Sequence, residues 1–441
     1  MLNKFGGSIW AMSEYGWYPL LLLISTPWFL SQLGTNQYGY WMLLAATTGF
    51  GSVLNTGTGA ATIKAVSSEL GRTQNTAGVE SAVRASVAIA IVGGGVLGLL
   101  VFSMYWFFGS ALLGQMDSTA LLRQTGIAAA ILIWIEQLDN VLSSAMKGAE
   151  QFGEAARIEM LSKTVQVILA ACVVWVSQDL STLYLALVVV ATVRLFAKIS
   201  VVRRIFGEIK LRPSFSGAKN ILGFAKWGWL QGVGVVLFGV ADRMLVGSLL
   251  GAESLTYYSI ASQLAMQIHA VAAAGLSVIF PKVSRELEEN DAFSLWRVTK
   301  LTMAGNLLFS TVLAIVLLVF GPQILILWIG VQAAGPTSVV LPWLVAAYWL
   351  LALNVVPYYI LLGYGRVRFV GITVLAAGGA GIGAMYITIS NIGLIGAPAG
   401  RGIYAVLTLA LIVPLIRYIR NDGNLVENQG LLSSRKGESL Q

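Results

Sequence analysis

The sequence predicts an all-α polytopic membrane protein of about 12 transmembrane helices, arranged as two six-helix lobes in parallel orientation. Three observations predict it. The 441 residues are 57% hydrophobic and only 11% charged, whereas soluble domains carry about 25% charged residues. Apolar spans near the ~20 residues that cross a bilayer recur along the whole chain. Finally, two stretches half the chain apart share the same landmarks, nearly all at an offset of 217 or 218.

The spans fall at roughly 15–33, 40–63, 84–108, 121–146, 157–177, 181–202, 224–249, 255–280, 297–320, 338–362, 369–389 and 394–417. The loops at 34–39, 109–120, 178–180, 250–254, 321–337 and 390–393 hold no Lys or Arg. The alternate loops and tails carry Lys4, Arg72, Lys147, Arg203, Arg204, Lys210, Arg212, Lys219, Arg285, Arg366, Arg368, Arg420, Arg435 and Lys436. The positive-inside rule then puts both termini in the cytoplasm. A missed helix would invert every later loop, so span count and charge alternation support each other. The net charge of +8 is a topology signal that also attracts anionic headgroups. It needs no nucleic acid to explain it.

The repeat opens with Leu33-Gly34, Tyr38, Tyr40, Gly57, Lys64 and Val66 to Leu70, matched by Leu250-Gly251, Tyr257-Tyr258, Gly275, Lys282 and Val283 to Leu287. Later echoes are Phe108-Gly109 with Phe320-Gly321, and Lys147-Gly148 with Leu362-Gly363. Six helices per half is an even number, so the repeats are related by an axis along the membrane normal. The lobes are assigned to 1–202 and 224–420, joined by a basic cytoplasmic linker at 203–223 and followed by a polar tail at 421–441. Phe215, Ile221, Leu222 and Phe224 around Lys219 and Lys226 read either as a short surface helix or as an ordinary linker. No cleavable signal precedes the first span. Cys172 is the single cysteine, which rules out an intrachain disulfide and reads as a small apolar filler.

Ionisable groups inside the spans are the candidates for function, since each costs about 2.5–3.5 kcal/mol on insertion scales. They are Glu136, Asp139, Asp242, Arg243, His269 and Arg401, with Arg194 close enough to the cytoplasmic end of its helix to snorkel out. Glu136, Asp139 and Ser143 fall at i, i+3 and i+7, one face of a helix, with Asn140 beside them. Two readings stay open for each: a group lining a path, or an interhelical ion pair that only holds the bundle. His269, the single histidine, reads better as a helix-to-helix hydrogen bond than as a proton shuttle. Walker, dinucleotide and zinc motifs are absent.

Leu33-Gly34 with Tyr38-Gly39-Tyr40-Trp41, Gly49-Phe50 and Leu54-Asn55-Thr56-Gly57 resembles the opening of the polysaccharide-export flippases. These belong to the multidrug/oligosaccharidyl-lipid/polysaccharide exporter superfamily. Asp242-Arg243 with Val246-Gly247, Leu250-Gly251 and Tyr257-Tyr258-Ser259-Ile260-Ala261 is similar to that family's seventh and eighth helices. The resemblance, over roughly 15–420, implies a MATE-like pair of lobes that rock around a central cavity. It implies a substrate of undecaprenyl-pyrophosphate-linked oligosaccharide, flipped across the bacterial inner membrane for O-antigen, capsule or exopolysaccharide assembly. Arg243 and Arg401 are then the expected contacts to phosphate or acidic sugar. Glu136, Asp139 and Asp242 would balance them or carry a coupling proton. No cofactor is expected; coupling to protons or sodium stays open. Implied partners are the lipid-linked oligosaccharide, membrane lipids, a polysaccharide polymerase and a chain-length regulator.

Two rival readings accompany this one. A cation-coupled multidrug exporter would share the fold but would want an acidic, aromatic cavity. A membrane-embedded polymerase or glycosyltransferase would want a large external loop, and here the external loops are short. A major-facilitator fold is disfavoured because 67–73 lacks that family's Asp-Arg element.

Overall fold

A computed structural model describes residues 2–73, 76–113, 119–177, 179–207, 211–276, 292–363 and 366–416. Among them there is no strand. The helices are α1 (Leu2–Thr48), α2 (Gly51–Thr73), α3 (Thr76–Leu113), α4 (Thr119–Gly148), α5 (Phe152–Ser177) and α6 (Leu180–Phe206) in the first half. The second half holds α7 (Ala218–Leu276), α8 (Ala292–Leu353), α9 (Val355–Gly363), α10 (Val367–Ile392) and α11 (Pro398–Thr408). The second copy of the repeated Lys…Val-Ser…Glu-Leu words, at 282–287, and the tail at 421–441 lie outside the described residues.

Among the described residues eight stretches are long and apolar enough to cross a membrane, and the outward faces fit that solvent: Phe107, Val176 and Leu327 lie exposed. The chain is a multi-pass membrane protein. Two of those stretches, Gly228–Ala273 and Thr299–Leu362, run to 46 and 64 residues. At ~1.5 Å per residue each is far longer than the ~30 Å hydrocarbon core, so each must turn. The turns are at Gly251 (φ 83, ψ 174) and Gly330 (φ 80, ψ 164), and α1 turns likewise at Gly34 (φ 70, ψ 173). Positive φ with ψ near 170° is a region essentially reserved for glycine. Gly34 and Gly251 are matched landmarks of the sequence repeat, so the repeat extends to backbone geometry.

Two spans expected to be continuous are interrupted. The stretch 40–63 breaks at Gly49-Phe50, between α1 and α2. A broken membrane helix needs other groups to satisfy its freed carbonyls. Thr47 and Thr48 hydroxyls donate to the Leu44 and Ala45 carbonyls at 2.8 and 2.9 Å, and Gln137 of α4 donates to the Gly51 carbonyl at 3.0 Å. The stretch 338–362 breaks at Asn354, three residues before Pro357, which has no N–H to bond back to Leu353. There Asn306 donates to the Ala352 carbonyl at 2.7 Å, and Asn354 donates to Thr408 at 2.8 Å.

Helices α1–α6 pack on one another, as do α7, α8, α10 and α11, and the halves meet chiefly where α7 lies against α1 and α2. The two equivalent turns touch. Thr256 donates to the Thr35 carbonyl at 2.6 Å, and a Cβ on Gly39 would overlap the Ala252 carbonyl. Subtracting 217 maps Ala252 onto 35 and Thr256 onto 39, so the seam is self-complementary, as a two-fold relation requires. Residues 211–217 form no helix; Arg84 donates to the Arg212 carbonyl at 3.0 Å, tying the linker to α3. Helix α7 starts at Ala218 and continues directly into its span, with Ile221 buried and Phe215 exposed. The linker therefore has no separate surface helix among its described residues. Cys172 is exposed on α5 rather than filling the interior.

Candidate functional site

The polar stripe of α4 faces inward, because burying it against lipid would leave its groups without partners. Glu136, Asp139, Asn140 and Ser143 line a cavity of about 410 Å³ within the first half, together with α1, α2, α5 and α6. Lys147, in the last turn of α4, also lines it; that end of the bundle is here called the basic end.

Lys198 of α6, fully buried, donates to Asp139 Oδ2 and Glu159 Oε2, both at 2.8 Å. Arg194, one turn earlier and 5% exposed, donates to Glu159 Oε1 at 2.9 Å and faces Asp139 Oδ2 at 3.2 Å. Glu136 stands 3.9 Å from Arg194. Lys163 of α5 lies 4.8 Å above the Tyr18 ring, in cation–π geometry. The snorkelling expected of Arg194 is not observed, because carboxylates on two neighbouring helices hold it inward. Sequence reasoning missed Glu159, Lys163 and Lys198 by treating charges near span ends as membrane anchors. A usable signal was present: charged residues paired at i, i+3 or i, i+4 on three consecutive helices, an acidic pair at 136/139, a mixed pair at 159/163 and a basic pair at 194/198.

A second cavity, of about 370 Å³, lies between the halves and shares Tyr18, Pro19, Glu136 and Lys163 with the first. The two are therefore contiguous. Aromatic walls from both sides of the Gly34 turn (Phe29, Tyr38, Trp41) face Arg243, Ser259 and Gln263 of α7 across it. Arg243 Nε, Ser259 Oγ and Gln263 Nε2 are buried there without a hydrogen-bond partner among the described residues. Ser259 is 2% exposed. Ser259 and Gln263 sit at i and i+4 on one face, which aims both side chains the same way.

Asp242 and Arg243 part company. Neighbours on a helix project about 100° apart, so Asp242 turns into the second half while Arg243 faces the cavity. Asp242 Oδ1 accepts the Arg243 backbone N–H at 2.8 Å, and Oδ2 accepts the Tyr258 hydroxyl at 3.0 Å and the Arg401 guanidinium. Arg401 stacks 5.1 Å over the Tyr348 ring. His269 hydrogen-bonds the backbone of Leu351. Of the six residues singled out from the sequence, Glu136, Asp139 and Arg243 line the two cavities; Asp242, Arg401 and His269 do not. Among the described residues no three His, Cys, Asp or Glu side chains gather as a metal-ligand set.

Residues 7–286 match the family described as "Polysaccharide biosynthesis protein". A Shigella flexneri protein named "Putative O-antigen transporter" is 21% identical over 411 residues, covering 92% of this chain and 96% of that protein. An inward-facing multidrug resistance MATE family transporter of the MOP superfamily superposes with TM-score 0.70 at 15% identity, over 93% of this chain and 96% of the other. The lipid II flippase MurJ in an inward closed conformation superposes with TM-score 0.69 at 13% identity, over 95% and 88%. At these identities the two structures establish a shared MATE-like fold.

Proposed function

Because the chain belongs to the polysaccharide biosynthesis protein family, we propose that it flips a lipid-linked oligosaccharide across a bacterial inner membrane by alternating access. The carrier is a polyprenyl pyrophosphate, and the pyrophosphate sits at Arg243. The observation that carries this reading is the donor set in the interlobe cavity: Arg243 Nε, Ser259 Oγ and Gln263 Nε2, all buried and unpartnered among the described residues. A guanidinium nitrogen buried without a partner is costly, and an anion with several acceptor oxygens relieves that cost. Lys163, which lines the same cavity, adds a second cation. The aromatic walls suit the start of an apolar tail, and the rest of the tail stays in lipid.

The chain crosses the membrane twelve times with both termini cytoplasmic, which places the basic end at the cytoplasmic leaflet where the substrate is made. Arg401 is a positioning residue in this scheme. It holds Asp242, whose other oxygen holds the backbone of Arg243. The Shigella relative named as an O-antigen transporter supports the substrate class. The drug-exporter alternative is weakened by the ion pairing, since Asp139 and Glu159 are already engaged by Lys198 and Arg194. Substitution of Arg243 by Ala, at unchanged protein level, is expected to abolish polymer output and to accumulate lipid-linked repeat units on the cytoplasmic face. Wild-type output from that variant sinks the assignment.

A further inference from the structure

The unpartnered buried atoms differ in kind between the two contiguous cavities. In the interlobe cavity they are the donor set around Arg243. In the first-half cavity Asn55 Oδ1 and Asp139 Oδ1 are acceptors, each buried without a hydrogen bond among the described residues. Asp139 is only 4% exposed. Arg194 Nε, also without a hydrogen bond there, faces Asp139 Oδ2 at 3.2 Å as an ion pair. Lys147, Lys163, Arg194 and Lys198 line this cavity with Glu136, Asp139 and Glu159, and Arg194 and Lys198 are already engaged by carboxylates. The cavity volume of about 410 Å³ lies in the range of small-molecule sites, about 300–1,000 Å³. Orphaned acceptors beside the aromatic Trp17, where Arg194 and Lys198 are already paired with carboxylates, fit a ligand rich in hydroxyl donors.

We propose that this first-half cavity is a carbohydrate subsite. It accepts sugar hydroxyl hydrogens at Asn55 Oδ1 and Asp139 Oδ1 while the phosphate of the same molecule lies at Arg243. The inference rests on the flippase reading and deepens it: specificity for the saccharide resides in α2 and α4, apart from the anion site on α7. A ligand without the hydroxyls leaves buried acceptors unpaired, and sites built that way discriminate strongly against it.

The test uses the full chain purified in lipid nanodiscs with two probes. One is bare undecaprenyl pyrophosphate; the other is the glycosylated carrier extracted from cells that make the protein. Wild type is expected to prefer the glycosylated probe by at least about tenfold, the worth of one well-made hydrogen bond. Asn55→Ala, which leaves Asp139 Oδ1 in place, should reduce that preference several-fold without changing affinity for the bare carrier. Asn55→Asp, which keeps an acceptor oxygen, should retain it. Arg243→Ala should weaken both probes alike. Equal binding of the two probes by wild type, or an unchanged preference in Asn55→Ala, overturns the subsite and leaves the flippase reading standing. Binding of neither probe by wild type overturns both.

Discussion

Replacing Lys198 by Met keeps the length of the side chain and removes one buried charge. The Lys198 ammonium lies 2.8 Å from oxygens of both Asp139 and Glu159. At an effective dielectric of ~20 each contact carries roughly 6 kcal/mol of Coulomb attraction. Desolvation of the three ions cancels much of that sum, and breaking a buried pair by deleting one partner leaves a net loss of about 3–5 kcal/mol. Afterwards the contacts of Arg194 to Asp139 and Glu159 remain. The assay is reversible unfolding in mixed micelles titrated with dodecyl sulfate, with the expected loss of about 3–5 kcal/mol. Adding Asp139→Asn to Lys198→Met restores one cation against one carboxylate at the Arg194–Glu159 contact, so the double variant should regain more than half of the loss. A Lys198→Met protein within about 1 kcal/mol of wild type, the level of an exposed pair, refutes the reasoning. So does a double variant no more stable than the single one.

The two arginines should behave differently. Arg243→Ala, at a side chain with no ion pair among the described residues, should lose transport while changing unfolding stability by less than about 1 kcal/mol; Arg401→Ala strands Asp242 and should cost about 3–5 kcal/mol, with Asp242→Asn as its rescue. Gly34→Ala and Gly251→Ala, at φ 70 and 83, should each cost about 1–3 kcal/mol and by similar amounts. Gly239→Ala, where nothing lies within 4 Å of the added carbon, should be neutral or stabilising by the same unfolding titration. Asp179 caps α6, and although partial burial works against its charge, bonds from the Thr182 side chain and backbone hold its carboxyl below the usual value of 3.8. A lowered folded pKa means the cap's stabilisation is complete above pH 3.8 and disappears as pH falls through the folded value. Asp179→Ala should therefore cost about 1 kcal/mol at neutral pH and leave a smaller difference from wild type in acid.

Much of the architecture was legible in the sequence because it depends on local properties. Hydropathy marks a membrane span residue by residue. The turn at Gly251 was readable because only glycine takes that backbone geometry, and Gly34 at the matching place said the unit was repeated. The stripe of Glu136, Asp139, Asn140 and Ser143 was readable because a helix puts those spacings on one face. The interruptions at Gly49 and Asn354 were not readable. A broken helix is tolerated only when another helix supplies the missing partners, and Gln137 and Asn306 lie far away in sequence.

The same limit governs the charges. From the sequence alone Asp242-Arg243 is one polar dipeptide, and Lys198 is a basic residue near a helix end. Which way each points depends on how its helix is rotated against helices tens to hundreds of residues away. Tertiary packing sent Asp242 to Arg401 and left Arg243 facing the cavity, and it pulled Lys198 between Asp139 and Glu159 instead of out to the headgroups. Hydropathy, glycine and charge alternation are properties of single positions, so the sequence by itself determined a duplicated, multi-pass helical protein. Neutralisation of a buried charge is a property of pairs, so only the tertiary structure decided which charges are spent on holding the bundle and which face the cavity.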